Sequence, residues 1–271
     1  MSVEVRSLGS GSSGNALLIV AAGTTVAVDC GLTPRTFATV LRDGGVESAN
    51  LDAVFLSHEH VDHVRGLPPL LRNGTPVVST SGTARAAGVP ARNWQELRPD
   101  AQVRIGGLLV TALPVAHDAA EPCGFLLEVA QTRVCVLTDL GSVSDALRDP
   151  IADADLIVIE ANHDEAMLRR GPYPPHLKRR ILSAEGHLSN ATSADFLASV
   201  LRRESRRRTI WLAHLSSTNN RPALAQQVVR RALAEAGQTH VVESLPRHGL
   251  GPLWRPGEPP RAPLQMALPF E

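Results

Sequence analysis

Lysine is almost absent from this chain: a single one, Lys178, stands beside 26 arginines among the 27 basic residues. The 27 acidic residues cancel them, so the formal charge is zero and no global field draws the protein to nucleic acid or an anionic membrane. Cysteine is scarce as well. Cys30, Cys123 and Cys135 make an odd count with no CxxC spacing, which argues against a disulfide framework and fits unbridged thiols in a reducing compartment. No apolar run approaches a membrane span, and the opening MSVEVRSLGS lacks the basic region and apolar run of a secretory signal. The expectation is a cytoplasmic protein without a membrane segment.

What remains is an ordinary globular composition, 43% hydrophobic and 20% charged over 271 residues. That length suits one large α/β domain or two similar halves. Short apolar runs bounded by Gly, Pro, Asn or Asp predict strands in VEVRSLG, NALLIVAAG, TTVAVDCG, LDAVFLS, PVVST, LLVTALPV, CGFLLEVA and RVCVLTD. Helical spacing falls near 34–44, 64–73, 82–88 and 142–148. The second half alternates: a strand in DLIVIEA, helices near 162–170, 175–184 and 192–204, a strand in RTIWLAH, a helix near 221–236 and a last strand in THVVESL. Two β-rich halves with helices predict two sheets packed face to face with helices outside, a four-layer αβ/βα sandwich over residues 1–245. From Pro246 the chain turns Pro- and Gly-rich without a period, so 246–271 is expected to be an extended tail.

The densest chemistry lies in FLSHEHVDH, residues 55–63. His58 and His60, two apart after a strand, project to the same side of an extended segment. Asp62 and His63 are adjacent and point in neighbouring but different directions, an arrangement that suits two nearby metal ions better than one. The spacing is not HExxH, so a helical zincin is excluded and Glu59 is not expected to be the base.

This pattern resembles the HxHxDH of the metallo-β-lactamase superfamily, and the resemblance runs over about residues 3–245. Asp29 ends a strand in VAVDCG, His117 follows one in VAHD, Asp139 ends VCVLTD and His214 ends TIWLAH. The resemblance implies that His58, His60 and His117 hold one metal and that Asp62, His63 and His214 hold another. Asp139 would bridge the two, and Asp29 would support the ligand loop from outside. Imidazole and carboxylate donors suit zinc, manganese or iron, with zinc or manganese the expected pair of divalent ions. Two such ions activate water, so the expected chemistry is hydrolysis, with Asp62 also able to orient the water.

The 21 residues between His117 and Asp139 leave no room for the substrate arm of tRNA-trimming endonucleases, and the 74 between Asp139 and His214 are too few for the inserted domain of large nucleic-acid-processing members. Glu160 at a strand end and His187 before a helix look like the pair found in the superfamily's nucleases, where His donates a proton to the leaving oxygen and Glu orients it. Taken together, GSGSSGN, SHEHVDH, TDLG, EANHD, YPPHLKRRI, GHLSN and HLSSTNN closely resemble the WalJ/YycJ family. Membership implies a metal-dependent exonuclease that acts on double-stranded DNA from a 5′ end, with a part in mismatch repair. A hydrolase of a small ester or thioester, and a non-enzymatic metal-bearing adaptor, stand as alternatives.

Several residues keep two readings. Ser12, Ser13 and Asn15 of GSGSSGN either cradle a phosphate or form a tight turn beside the site. His163 either lines the site or caps a helix. Lys178, Arg179 and Arg180, like the arginines of 202–208, either contact DNA phosphates or form a solvated face. At the end of the chain, Gln265, Leu268 and Phe270 of QMALPF resemble the QxxLxF peptide that docks on the bacterial sliding clamp; the other reading packs the two apolar side chains back on the domain.

Overall fold

A strand such as Leu156–Glu160, buried at every position, needs cover on both faces. The computed structural model, which describes residues 3–201 and 206–258, supplies that cover in four layers. The first half runs β1 (Val3–Gly9), β2 (Ala16–Ala21), β3 (Thr24–Val28), α1 (Pro34–Asp43), β4 (Ala53–Phe55), α2 (Val61–Val64), α3 (Leu67–Arg72), β5 (Val77–Ser79), α4 (Ser81–Ala86) and β6 (Trp94–Glu96). Next come β7 (Gln102–Ile105), β8 (Leu108–Pro114), β9 (Cys123–Val129), β10 (Thr132–Leu137), α5 (Arg148–Asp153), β11 (Leu156–Glu160), α6 (Glu165–Arg170) and α7 (Pro175–Ile181). The chain continues through α8 (Asn190–Val200), β12 (Thr209–Ala213), α9 (Pro222–Glu235), β13 (Val241–Ser244) and β14 (Leu253–Trp254).

The strands form two seven-stranded sheets, ordered β14-β1-β2-β3-β4-β5-β6 and β13-β12-β11-β10-β9-β8-β7. Each has an antiparallel part that passes into a parallel part, at β3 in the first sheet and β10 in the second. Period-two alternation splits every central strand between two cores. Val5, Ile19 and Phe55 of the first sheet meet Phe125, Val158 and Trp211 of the second in the core between sheets, where Phe55 and Phe125 stack edge to face at 5.6 Å. The opposite faces are covered from outside. Leu18, Val54 and Leu56 pack under Phe37 and Leu41 of α1 and Leu70 of α3. Ile157, Ile159 and Leu212 pack under Ile151 of α5, Leu197 of α8 and Val229 of α9. This is the expected four-layer sandwich.

One boundary differs from expectation. Past Pro246, where an extended tail is predicted, the chain returns to the first sheet: Trp254 pairs with Val5 and is buried, and Ser10 donates its backbone N–H to Pro246 O at 3.1 Å. The folded unit therefore extends to at least residue 254, because the lone edge of β1 recruits a short strand that carries too few apolar residues to announce itself. Gln265, Leu268 and Phe270 lie outside the described residues.

Candidate metal centre

The site lies at the carboxyl ends of β3, β4, β10, β11 and β12, the end at which open parallel sheets bind ligands. Three of these strand ends close on a non-glycine residue with left-handed backbone: Asp29 (φ 60°), Asp139 (φ 55°) and His214 (φ 54°). Such a residue costs on the order of 1–3 kcal/mol, and here each one turns a functional side chain sharply inward. The loop from β4 into α2 is held backbone to backbone: Cys30 N–H donates to His63 O and Asn15 N–H to Asp62 O, both at 2.8 Å. Gly31 is required at this crossing, since a Cβ there would lie 1.6 Å from Asp62 O.

Two donor groups converge. The potential ligand atoms of His58, His60 and His117 lie within 4.8 Å of one another, and so do those of Asp62, His63 and His214. In the first group, His117 Nε2 lies 3.2 Å from His60 Nδ1. In the second, Asp62 Oδ2 lies 3.4 Å from His214 Nε2 and 3.9 Å from His63 Nε2. Asp139 reaches both: Oδ2 is 2.8 Å from His63 Nε2, and Oδ1 is 4.0 Å from His117 Nε2.

The outer atoms are tied down. Asp29 Oδ2 accepts from His63 Nδ1 at 2.7 Å and from Ser57 Oγ at 2.8 Å, while Oδ1 accepts from Ser57 N at 2.8 Å. His117 Nδ1 donates to Gly186 O at 3.0 Å. The inner atoms are not: His58 Nε2 is buried without a hydrogen-bond partner, and Asp139 Oδ2 and His214 Nε2 face only other donor atoms of the same cluster, His63 Nε2 and Asp62 Oδ2. Donor atoms facing inward, with their far sides fixed by carboxylates and carbonyls, are what a divalent cation requires of its ligands. The donor set of imidazole and carboxylate fits zinc or manganese.

The electrostatics divide between the groups. Burial and the neighbouring His63 push His58 well below the usual imidazole range, and burial likewise lowers His117, so both are neutral donors. His63 behaves oppositely: burial works to lower it, but Asp29 and Asp139 outweigh burial and raise it to about 10. His214 is raised for the same reason, with burial opposed by Asp139, Asp62 and Glu160.

Glu160 is fully buried with both oxygens engaged. Oε2 accepts from the backbone of Leu140 at 2.8 Å and Leu188 at 3.1 Å, and Oε1 faces His187 Nδ1 at 2.9 Å and His214 Nδ1 at 2.8 Å. The expected Glu160–His187 pair is present, and Glu160 also orients His214, which the sequence did not reveal. His187 follows a segment packed against the loop after β10, where Gly141 passes so close that a Cβ would lie 2.3 Å from Ala184 O. Burial works to lower His187, but Glu160 raises it above the usual value, and its ring faces the cleft.

That cleft, about 410 Å³, opens over the donor atoms and is lined by Ser12, Val61, Asn162, Tyr173, Leu177, Arg180, Ile181 and Ser216 beside the metal-facing residues. Of the residues with two readings, Ser12 and Arg180 line it. Asn15 is buried beneath it, its Nδ2 3.0 Å from His63 Nε2 and 3.4 Å from Asp62 Oδ2, while its Oδ1 accepts from Gly11 N–H. GSGSSGN is thus a turn that holds the metal loop. Ser13 Oγ is buried without a partner. Lys178 bonds to Arg169 O, and it and Arg179 lie outside the cleft wall. His163 is buried, and its carbonyl, not its ring, receives the N–H of Asn190 at the start of α8. Tyr173 and Leu177 fall within YPPHLKRRI and Val61 within SHEHVDH, but the sequence did not single them out as lining the site.

The fold and this donor set define a metal-dependent hydrolase of the metallo-β-lactamase class. A family model described as a beta-lactamase superfamily domain matches residues 24–214. The chain is 33% identical over 243 residues to the exodeoxyribonuclease YycJ of Bacillus anthracis, covering 88% of this chain and 91% of that protein. It is 33% identical over 237 residues to the exodeoxyribonuclease WalJ of Streptococcus pneumoniae serotype 2 (strain D39 / NCTC 7466), covering 84% and 87%. Among solved structures, the metallo-β-lactamase fold protein YhfI of Bacillus subtilis matches with a TM-score of 0.69 at 19% identity, over 94% of this chain and 99% of that one, which bears on the fold alone. The chain belongs to the WalJ/YycJ family of the metallo-β-lactamase superfamily. No helix among the described residues is long and apolar enough to cross a membrane.

Proposed function

We propose that this protein is a cytoplasmic DNA exonuclease acting from a 5′ end in repair, with two divalent metal ions, zinc or manganese, at its centre. His58, His60 and His117 would hold one ion and Asp62, His63 and His214 the other, with Asp139, which reaches both groups, available to the two. When bound, the ions supply Lewis acidity to the phosphate and a water made acidic enough to attack near neutral pH.

The chain's own residues do the rest. Burial opposes ionisation of Asp62, but the hydrogen bond from His214 and the charge of His63 outweigh it, so the carboxylate stays ionised and accepts a hydrogen bond from the attacking water. His187, its Nδ1 held by Glu160, keeps its other ring nitrogen for the cleft and gives a proton to the departing oxygen. A phosphodiester needs that proton because its leaving group is an alkoxide. The observation that carries the reading is therefore the His187–Glu160 pair at 2.9 Å beside the donor groups. It is supported by the names of the two relatives, both exodeoxyribonucleases.

The test is purified protein, loaded with manganese or zinc, on duplex DNA labelled at either end and on a thioester. Release of nucleotides from the 5′-labelled end is the expected result; thioester cleavage without DNA cleavage would overturn it. Gln265, Leu268 and Phe270, outside the described residues, are proposed to dock on the sliding clamp, Leu268 and Phe270 filling an apolar pocket and Gln265 a polar one. Deleting residues 264–271 should abolish clamp binding by titration and leave DNA cleavage intact.

A further inference from the structure

We infer that the cleft beside the metal centre is a subsite for one unpaired nucleotide, with Tyr173 stacking on its base and Arg180 holding its phosphate. This rests on the nuclease reading above and goes beyond it by assigning how the strand enters. The stripe that forms one wall follows helix geometry. Leu177, Arg180 and Ile181 are spaced three and four apart on α7 and so share a side, and Tyr173, two residues before the helix, lines the same cleft. Across from them stands Val61. Among the described residues, two large apolar side chains are exposed, Val61 at 62% and Leu182 at 37%. Val61 lines this cleft together with Tyr173, Leu177 and Ile181, which gives the wall an apolar surface beside the polar donor atoms.

The presentation of Tyr173 is stiff. It sits in Gly171-Pro172-Tyr173-Pro174-Pro175, and Pro175 opens α7. A residue flanked by prolines has few backbone states to lose, and Gly171 is packed so tightly that a Cβ would lie 2.6 Å from Asn219 Oδ1. The ring is therefore placed before substrate arrives, which lowers the entropy lost on binding. Arg180 is set in the same way. Its Nε donates to Asp118 Oδ2 at 2.5 Å, and among the described residues its two terminal nitrogens have no protein partner. The contact is an ion pair, so the guanidinium is anchored at one edge by the Asp118 carboxylate. A planar cation with two free donors beside a metal centre suits a phosphate.

Stacking decides between a paired and an unpaired nucleotide. A base lays a full face on the Tyr173 ring in the cleft wall once it has left the stack of its neighbours, so the nucleotide to be cut leaves its partner first, and base–aromatic stacking on Tyr173 offsets the lost pairing.

The experiment uses the full chain, metal-loaded, with Tyr173→Ala and Tyr173→Phe beside wild type. Substrates carry either a normal or an abasic nucleotide at the position cut, and kcat/KM is read from release of the first nucleotide. Tyr173→Ala should lower kcat/KM on the normal strand about tenfold or more, chiefly through KM, as expected from loss of one stacked base. Tyr173→Phe should keep it. On the abasic strand wild type should already be slow, and Tyr173→Ala should add little. Equal losses on both strands, or none on either, would overturn the subsite alone. A wild-type protein inactive on every strand would overturn the nuclease reading and the subsite with it. A mismatched terminal pair should be cut faster than a paired one; equal rates would overturn strand separation.

Discussion

His63 Nδ1 lies 2.7 Å from Asp29 Oδ2, and the same carboxylate takes the backbone N–H and hydroxyl of Ser57. Asp29 thus fixes which nitrogen of His63 turns toward the donor group, although Asp29 faces no ligand position itself. Replacing it by Ala should weaken metal binding at the second position by about 10–100-fold, the usual cost of removing such a partner. Metal content after dialysis against a graded chelator series measures this directly. An Asp29→Ala protein that holds metal as tightly as wild type would show that His63 needs no outer support.

Glu160 and His187 should separate cleanly. His187→Ala removes a proton donor and should lower kcat by about 10²–10⁴-fold while metal content stays full. Glu160→Gln has no orientation that suits the site. Its NH2 must face either the two backbone N–H groups of Leu140 and Leu188 or the two imidazoles of His187 and His214. One pair of buried donors is left unpaired, at about 1–3 kcal/mol. Glu160→Gln should therefore lose metal as well as activity. If His187→Ala loses metal too, His187 is a ligand.

How far the sequence reached depends on how much chain each feature occupies. β1 is visible residue for residue in VEVRSLG, and α9 nearly so, because a full face of each is buried. β6 and β7 escaped notice: both lie at sheet edges, three and four residues long, with no buried side chain among them. The helix expected at 142–148 begins only at Arg148, after a single tight turn at Asp145–Leu147. The metal-facing residues were legible through their density and order. Tyr173 opens YPPHLKRRI but was not singled out, since a lone aromatic in a Pro-rich stretch gives no periodic signal and its place in the cleft wall depends on where α7 packs. Asn15 was marked by its loop, but its partners Asp62 and His63 lie 47 and 48 residues away.

Gly31 should tolerate no side chain. The obstacle to a Cβ is Asp62 O at 1.6 Å, which is backbone and cannot rotate away. Gly31→Ala must push apart the two loops that carry Asp29 and Asp62–His63. A loss of stability of about 1–3 kcal/mol or more is expected from overpacking, together with loss of metal at the second position. Chemical denaturation and metal analysis give the two numbers. A stable Gly31→Ala protein with full metal content would mean the loops are not held as the backbone bonds indicate.

Metal loading should release protons, and the sign follows from His63. Without metal its imidazole holds a proton up to about pH 10, because the attraction of Asp29 and Asp139 exceeds the effect of burial. A metal ion needs the Nε2 lone pair, so near neutral pH it must displace that proton. Affinity at this position should rise with pH, by about tenfold per unit for one proton, up to about pH 10. Folding of the metal-free protein should respond in the opposite sense. The stability from His63's ion pairs is full below the unfolded imidazole value of about 6.5 and is lost as pH rises through about 10. Alkali thus loosens the empty protein while favouring the loaded one. Calorimetric titration in buffers of different protonation enthalpy counts the protons, and thermal melts with and without chelator across pH 6–10 test the crossing trends. Binding that releases no proton at pH 7 would mean that His63 is already neutral before the metal arrives.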